Sequence, residues 1–439
     1  MGFYKSSERL QKELSSLKNS VARERLIKLF DQDSFNELDA LSEAAQAVIG
    51  CGLINGMPCC AFSQDINVSG GAVGQAQAKK MRKAYEYSLM NGMPLIGIFD
   101  SKGAYLDEGV DAMAAYGELL LNANNLSGVV PQISIIAGAC AGTAALIASS
   151  GDIVIHVDSA PYYLNSKDKD EQLGSTHIRA KDEDDAIERA REILSYLPAN
   201  NLSETAGFDA VAPADADYTN TDDMIGKVSD ASSFIELQAD FGENVTCGLG
   251  LLNGVSVAFL ETKGGMLDCN AAAKAARFVR FADAFSVPVV TFVDAQGFES
   301  ISDAAKLAHA YAEATTAKIA VITGEAIGSA YIAMAGRGAN ADYVAALDTA
   351  VVSALQVESA VAVMWNDRLN ALENPLTERA GLIEEYKMTD GSAFEAARRG
   401  YVEDIAALGD IRKKIIDALG LLSSKRVATL PKKHSNIQL

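Results

Sequence analysis

Glycine-rich turns of a kind that could hold an anion occur twice in this chain of 439 residues. Gly138-Ala139-Cys140-Ala141-Gly142-Thr143-Ala144 returns downstream as Gly324-Glu325-Ala326-Ile327-Gly328-Ser329-Ala330. Each copy follows an apolar run (133–136 and 319–322) and leads into small residues that read as a helix. A strand that turns through glycine into a helix N-terminus leaves backbone N–H groups unpaired and pointing outward. Such a turn is a donor set for an oxyanion. Gly142 with Thr143, and Ser329 with Ala330, are the candidate donors. Two copies imply two oxyanion sites, and a reaction that passes negative charge between two partners would use both.

The elements that must position these turns are repeated as well. The segment 94–100, ending in Asp100 and followed by Gly103, returns as 288–294, ending in Asp294 and followed by Gly297. Ile54-Asn55-Gly56 and Leu252-Asn253-Gly254 carry the match upstream, so a lobe of about 120 residues is duplicated. In the first lobe the pattern predicts a hairpin over 48–63 turning at Asn55-Gly56, helices over 76–90 and 109–123, and strands over 95–99, 133–136 and 153–157. Strands separated by helices give an α/β fold with two βαβ-type lobes. Residues 1–44 read as a helical segment, 45–235 as the first lobe with a linker around 212–223, and 236–439 as the second lobe with a helical tail.

Composition narrows the function classes. The 38 basic and 58 acidic residues leave a net charge of −20, which repels nucleic acid and anionic membrane. No stretch reaches the roughly 18 apolar residues of a membrane span. The six cysteines contain no Cys-x-x-Cys pair and read as reduced, small apolar residues of a cytoplasmic protein. The four histidines lack metal-ligand spacing, and no metal is expected. The basic run Lys79, Lys80, Arg82 and Lys83 reads as a solvated helix face, with contact to a ligand's phosphates as its alternative role. Asp107-Glu108 reads as a helix-start preference, with acid–base chemistry by paired carboxylates as the alternative.

The repeated lobe resembles the crotonase fold. The chain is similar to the carboxyltransferase subunits of biotin-dependent acyl-CoA carboxylases, of the propionyl-CoA carboxylase β-chain type, and of the related decarboxylases. The residues that carry the resemblance are Ala22-Arg23-Glu24-Arg25-Leu26, Phe62-Ser63-Gln64-Asp65, 127–134, Cys140-Ala141-Gly142, 275–280, 310–314 and His434-Ser435-Asn436-Ile437. The resemblance implies two tandem crotonase-like lobes, the first on the acyl-CoA side and the second on the biotin side. It implies that CO₂ passes between carboxybiotin, carried on a separate protein, and the α-carbon of a short acyl-CoA, in a site built by two subunits.

On that resemblance the amides at Gly142 and Thr143 hold the thioester enolate, and those at Ser329 and Ala330 the biotin oxyanion. Gly103, Ala104 and Gly138 in the first lobe, and Gly297, Phe298 and Gly328 in the second, line the binding sites for the CoA thioester and biotin. The implied partners are a biotin carboxyl carrier protein with either a biotin carboxylase or a membrane decarboxylase subunit, and further copies of the chain, as a dimer or a trimer of dimers. A decarboxylase subunit of a sodium-pumping complex and a non-catalytic scaffold are the alternative readings. Departures from the family pattern are Thr143 and Ser329 in place of a second glycine, a shortened stretch after Phe298, a short segment after Tyr163, and Ile332 where Asp is common. The last implies a more apolar acyl pocket.

Overall fold

The computed structural model describes residues 8, 9, 12, 20–165, 172–214, 216–337, 341–428 and 431–436. Leu10, Leu14 and Leu17 of the N-terminal apolar face, residues 166–171 of the charge-dense run, and Ile437 lie outside them. The chain divides into two compact units, Met1–Thr205 and Ala206–Leu439. The division falls ahead of the lobe boundary at 235 read from the sequence, so the linker around 212–223 belongs to the second unit.

The first unit begins with α1 (Val21–Leu29), whose N-cap Ser20 accepts the Arg23 N–H at 3.2 Å. There follow β1 (Asn36–Leu38), β2 (Ala47–Ile54), β3 (Met57–Gln64), α2 (Gln75–Asn91), β4 (Leu95–Ser101), α3 (Val110–Leu126), β5 (Gln132–Ala141), α4 (Thr143–Ser149), β6 (Ile153–Val157), β7 (Tyr162–Tyr163), β8 (Ile178–Ala180) and α5 (Glu183–Ser195). The sheet runs β1-β2-β3-β4-β5-β6-β8, with β7 paired to the far end of β5. Its β1, β2 and β3 are antiparallel and the rest parallel. The helix read in the segment 1–44 ends at Leu29, and the strand at 36–38 follows it. So short a strand cannot show an alternation, and β1 is held by backbone pairing to β2, where Gly50 lets the Asn36 carbonyl approach.

The second unit repeats this plan with β9 (Ile235–Leu237), β10 (Val245–Leu252), β11 (Val255–Thr262), β12 (Met266–Leu267), α6 (Cys269–Ala284), β13 (Val289–Ala295), β14 (Gly297–Phe298), α7 (Ile301–Glu313), β15 (Lys318–Ile327), β16 (Tyr343–Leu347), β17 (Val351–Ser353) and β18 (Asp404–Ala406). Its sheet order, β9-β10-β11-β13-β15-β16-β18 with β17 on β15, matches the first unit strand for strand. The expected α/β fold of two similar lobes is therefore present. Helical segments (Val357–Met364, Pro375–Met388 and Ile411–Leu422) fill out the C-terminal part.

Both hairpins turn as their Asn-Gly pairs require, with φ of 50° and 79° at Asn55 and Gly56 and of 53° and 76° at Asn253 and Gly254. Each turn is also held by a carboxylate. Asp31 accepts the Asn55 and Gly56 N–H groups at 3.1 and 2.9 Å, and Asp230 accepts those of Asn253 and Gly254 at 3.0 and 2.8 Å. An arginine closes each cluster, Arg191 on Asp31 and Arg412 on Asp230, both at 2.7 Å. The two pairs differ in burial: the Asp31 and Arg191 side chains are 28% and 25% exposed, those of Asp230 and Arg412 2% and 13%. Removing one partner of a buried pair strands the other charge. Asp230→Ala should therefore cost about 3 kcal/mol and Asp31→Ala about 1 kcal/mol in denaturant unfolding; equal losses would contradict this account.

Candidate active site

In each unit the site begins at a bulge. β4 and β5 pair in register up to Phe99 and Ile136 and resume at Ser101 and Cys140, so residues 137–139 loop out opposite Asp100. β13 and β15 do the same around Asp294, resuming at Ala295 and Ala326. The aspartate fills the space that the bulge opens. Asp100 accepts the Ala139 N–H, and Asp294 Oδ1 accepts the Glu325 N–H at 2.8 Å. The glycine before each donor makes room, since a Cβ on Gly138 would lie 2.1 Å from Asp100 Oδ1 and one on Gly324 2.4 Å from the Asp294 carboxyl carbon. Gly138 thus makes room for the aspartate.

Just past the bulge the strand ends in glycine at positive φ, 60° at Gly142 and 50° at Gly328. The N–H of Gly142 is engaged, donating to the Tyr163 carbonyl at 3.0 Å, and the N–H of Gly328 donates to Ser353 O at 2.8 Å. This corrects the placing of the Gly142 amide among the oxyanion donors. The first helical bonds run from Leu146 to Gly142 and from Ile332 to Gly328, both at 3.2 Å. The first-turn amides of Thr143 and Ala144, and of Ser329 and Ala330, thus have no intrahelical acceptor. The donor pairs are then equivalent in the two units, Thr143 with Ala144 and Ser329 with Ala330. Thr143 is half-buried and Ser329 exposed, while Ala144 and Ala330 form the floor.

The neighbouring turns converge on these cradles. Gly103 has φ 108°, a Cβ added there would lie 3.4 Å from the Ala141 carbonyl oxygen, and Ala104 is bridged in parallel to Val73. Gly297, at φ 140°, stands against Met266, with Ser329 Oγ next in line, and Phe298 pairs with Leu267. Glu299 and Ser300 alone separate β14 from α7, whose N-cap Ser300 accepts the Asp303 N–H. Beside the first cradle a cavity of about 160 Å³ runs along α4, lined mainly by Ala145, Leu146, Tyr162, Tyr163 and Leu164.

The two bulges are charged differently. In the first unit Arg25 Nη1 reaches Asp100 Oδ2 at 3.0 Å and the Gln64 carbonyl at 3.1 Å, while Nε and Nη2 hold Glu183 at 2.9 and 2.5 Å. Burial pushes the Asp100 carboxyl up from its usual range, and Arg25 offsets this in part. Burial works against the Arg25 charge, but Glu183 and Asp100 outweigh it and the guanidinium is held above its ordinary value. The Asp294 carboxylate is instead bound by backbone, and Thr262 Oγ1 braces the strand by donating to the Asp294 carbonyl at 2.9 Å.

Other residues singled out in the sequence are used elsewhere. Glu108 Oε2 caps α2, not the helix that it precedes, through the Gln75 N–H at 2.7 Å. Arg82 pairs with Glu86 and Glu118, Lys83 with Asp39, and Lys80 is buried. His309 lies 2.8 Å from Arg280, His156 binds the Ala160 carbonyl and His177 accepts the Val154 N–H, all structural contacts.

This duplicated architecture is that of a carboxyl transferase. The Carboxyl transferase domain family matches residues 17–169 and 164–437. The propionyl-CoA carboxylase beta chain of Saccharopolyspora erythraea is 34% identical, over 95% of this chain and 90% of its own. The methylmalonyl-CoA decarboxylase subunit alpha of Propionigenium modestum is 32% identical, over 98% and 95%. The solved transcarboxylase 12S, a hexamer with methylmalonyl-coenzyme A and methylmalonic acid bound, superposes with a TM-score of 0.88 at 32% identity, covering 98% of this chain and 94% of its own. The chain belongs to the carboxyltransferase family of the biotin-dependent acyl-CoA carboxylases and decarboxylases.

The glycines of the turn separate two physical costs. Gly138→Ala drives a Cβ into Asp100 and should lower stability by about 3 kcal/mol. Gly142→Ala meets nothing within 4 Å and incurs only the strain of its positive φ, about 1 to 2 kcal/mol. Thermal unfolding of the two variants checks the order.

Proposed function

We propose that this chain transfers CO₂ between carboxybiotin on a separate carrier protein and the α-carbon of a short acyl-CoA, with one backbone cradle for each partner. The observation that carries the reading is the equivalence of the two donor turns. Each presents a pair of adjacent first-turn amides behind a glycine whose own N–H is fixed to a downstream strand. Such donors suit an oxygen on which charge develops, because they are already oriented and cost no reorganisation when it does.

In the first unit the Thr143 and Ala144 amides hold the thioester oxygen as the α-carbon takes on carbanion character. The cavity along α4, apolar and narrow, receives the adjoining part of the thioester. In the second unit the Ser329 and Ala330 amides hold the ureido oxygen of biotin. Biotin, when bound, supplies the carboxyl group and a ureido nitrogen able to take the α-proton, so the chain need not supply a strong base. Gly103 and Ala104 on one side, and Gly297, Phe298 and Gly328 on the other, shape the approach to the cradles. Ile332, 58% exposed and one turn beyond Gly328, gives the second cradle an apolar rim.

Assembly with further copies of the chain is part of this proposal, as is a carrier working with a biotin carboxylase or a membrane decarboxylase subunit. The cradles serve either direction of transfer, and the carboxylase and decarboxylase relatives lie at 34% and 32% identity.

The test is decarboxylation of malonyl-, methylmalonyl- and glutaconyl-CoA with free biotin, where biotin-dependent CO₂ release is expected and its absence would indicate a scaffold. Proline is tolerated at the first helical position, so Thr143→Pro deletes a donor without breaking α4. It should lower kcat about 100-fold, as loss of an oxyanion donor does, while Thr143→Ala, which keeps the amide, loses far less. Equal effects would remove the amide from the mechanism.

A further inference from the structure

Cys51 on β2 and Cys60 on β3 are direct partners across the first hairpin. The Cys60 N–H points away from that partner and donates to the Pro94 carbonyl at 2.9 Å. Pro58, with no N–H to give, stands two places along in the pair with Leu53. Cys51 and Cys60 therefore form a pair without backbone bonds between them. In such a pair the Cα atoms lie about 4.5 Å apart and the side chains are at their closest, inside the Cα spacing that a disulfide accepts. The two thiols meet. Cys60 hydrogen-bonds Cys51, which holds the Cys51 thiol below its ordinary value, and the same contact together with burial pushes the Cys60 thiol up. Cys51 is half-buried, next to the exposed Leu53 along its own face of the strand, and Cys60 is fully buried.

The second unit supplies the comparison. Its equivalent pair is Leu249 with Ala258, and the Ala258 N–H likewise donates to a proline carbonyl, that of Pro288, at 2.8 Å. An aliphatic pair fills the same place in the same hairpin, so packing there does not call for sulfur. The remaining cysteines are placed otherwise. Cys59 faces the opposite side of the sheet, Cys140 and Cys247 are fully buried in β5 and β10, and Cys269 is exposed at the start of α6.

We propose that Cys51 and Cys60 are a reversible oxidation site, a dithiol that reduces hydrogen peroxide and closes to a disulfide between β2 and β3. The Cys51 sulfur attacks one peroxide oxygen, so that an S–O bond forms and the O–O bond breaks, and the departing hydroxide leaves as water with the Cys51 proton. The Cys60 sulfur then attacks the Cys51 sulfur. The S–S bond forms, the S–O bond breaks, and the second hydroxide leaves as water with the Cys60 proton. Two thiols give up two electrons in all, and the peroxide becomes two waters. Cys51 takes the first step because it is the more accessible thiol and its thiolate is the favoured one. Cys60 already stands opposite, so the sulfenic acid is resolved before it oxidises further. The site is separate from the two cradles and does not depend on the function proposed above.

The experiment treats the folded, reduced full chain with hydrogen peroxide, blocks the remaining thiols by alkylation, and maps the sulfur linkages by mass spectrometry after cleavage between residues 51 and 60. The inference expects a loss of two hydrogens, a Cys51–Cys60 link, and its reversal by dithiothreitol. Cys59→Ala should still form the link. Cys60→Ala, which installs the residue of the second unit, should stop at a sulfenic acid on Cys51 that a dimedone probe captures. Cys51→Ser should lower the rate of peroxide-dependent thiol loss at residue 60 by about 10-fold or more, since the buried partner lacks an activated thiolate. Cys51 and Cys60 both left free while Cys269 oxidises, a link made to Cys59 instead, or oxygen added to Cys51 of the wild-type chain without a link would each overturn it.

Discussion

The site depends on a buried carboxylate set into a strand bulge. Without Asp100 the Ala139 amide would lose its acceptor, and without Gly138 there would be no room for the carboxylate. The bulge then sets where the strand resumes, at Cys140, and hence where Gly142 turns the chain into α4. The same argument runs through Asp294, Gly324, Glu325 and Gly328 in the second unit. A turn whose donors are backbone amides has no side chain to aim. Its precision must come from fixing the peptide planes, and an aspartate locked to a main-chain N–H does that at the point where the ladder is interrupted.

The two copies reach this arrangement with different charge. In the first unit the aspartate shares a buried arginine with Glu183, which ties α1 and α5 to the end of β4 although the two helices are far apart in sequence. In the second unit backbone donors suffice. A duplicated turn that remains the same at the main chain while its support diverges fits a pair of sites that treat similar oxygens on dissimilar molecules.

Much of this was legible in the sequence, and the parts that were not share a cause. Period and punctuation located the hairpins, the strand over 153–157 and the helix found at Gln75–Asn91, because these signals are local. The repeat located both donor turns. It did not reveal that Gly142 had already given its N–H to Tyr163, since that bond depends on β7, a separate and later strand. Asp100 and Asp294 stood inside the quoted motifs, yet their role needed the bulge, which pairs residues from different strands. Asp31 and Asp230 were invisible for the same reason, each completing a turn that is remote along the chain. A matched shift search on Asp and Gly together would have found the bulge pairs. Composition treats Cys51 and Cys60 as separate apolar residues, and only the register about Asn55-Gly56 sets them opposite each other.

The bonds from Cys140 to Pro161 and from Gly142 to Tyr163 have an evolutionary corollary. They fasten the connection between β6 and β7 to the end of β5 at both of its ladder positions, so inserting or deleting a residue between Val157 and Pro161 would reposition the turn itself. Beyond Tyr163 the tether ends. Length variation among homologues should therefore accumulate after that tyrosine, where the chain can remodel a binding surface while the reaction centre stays put.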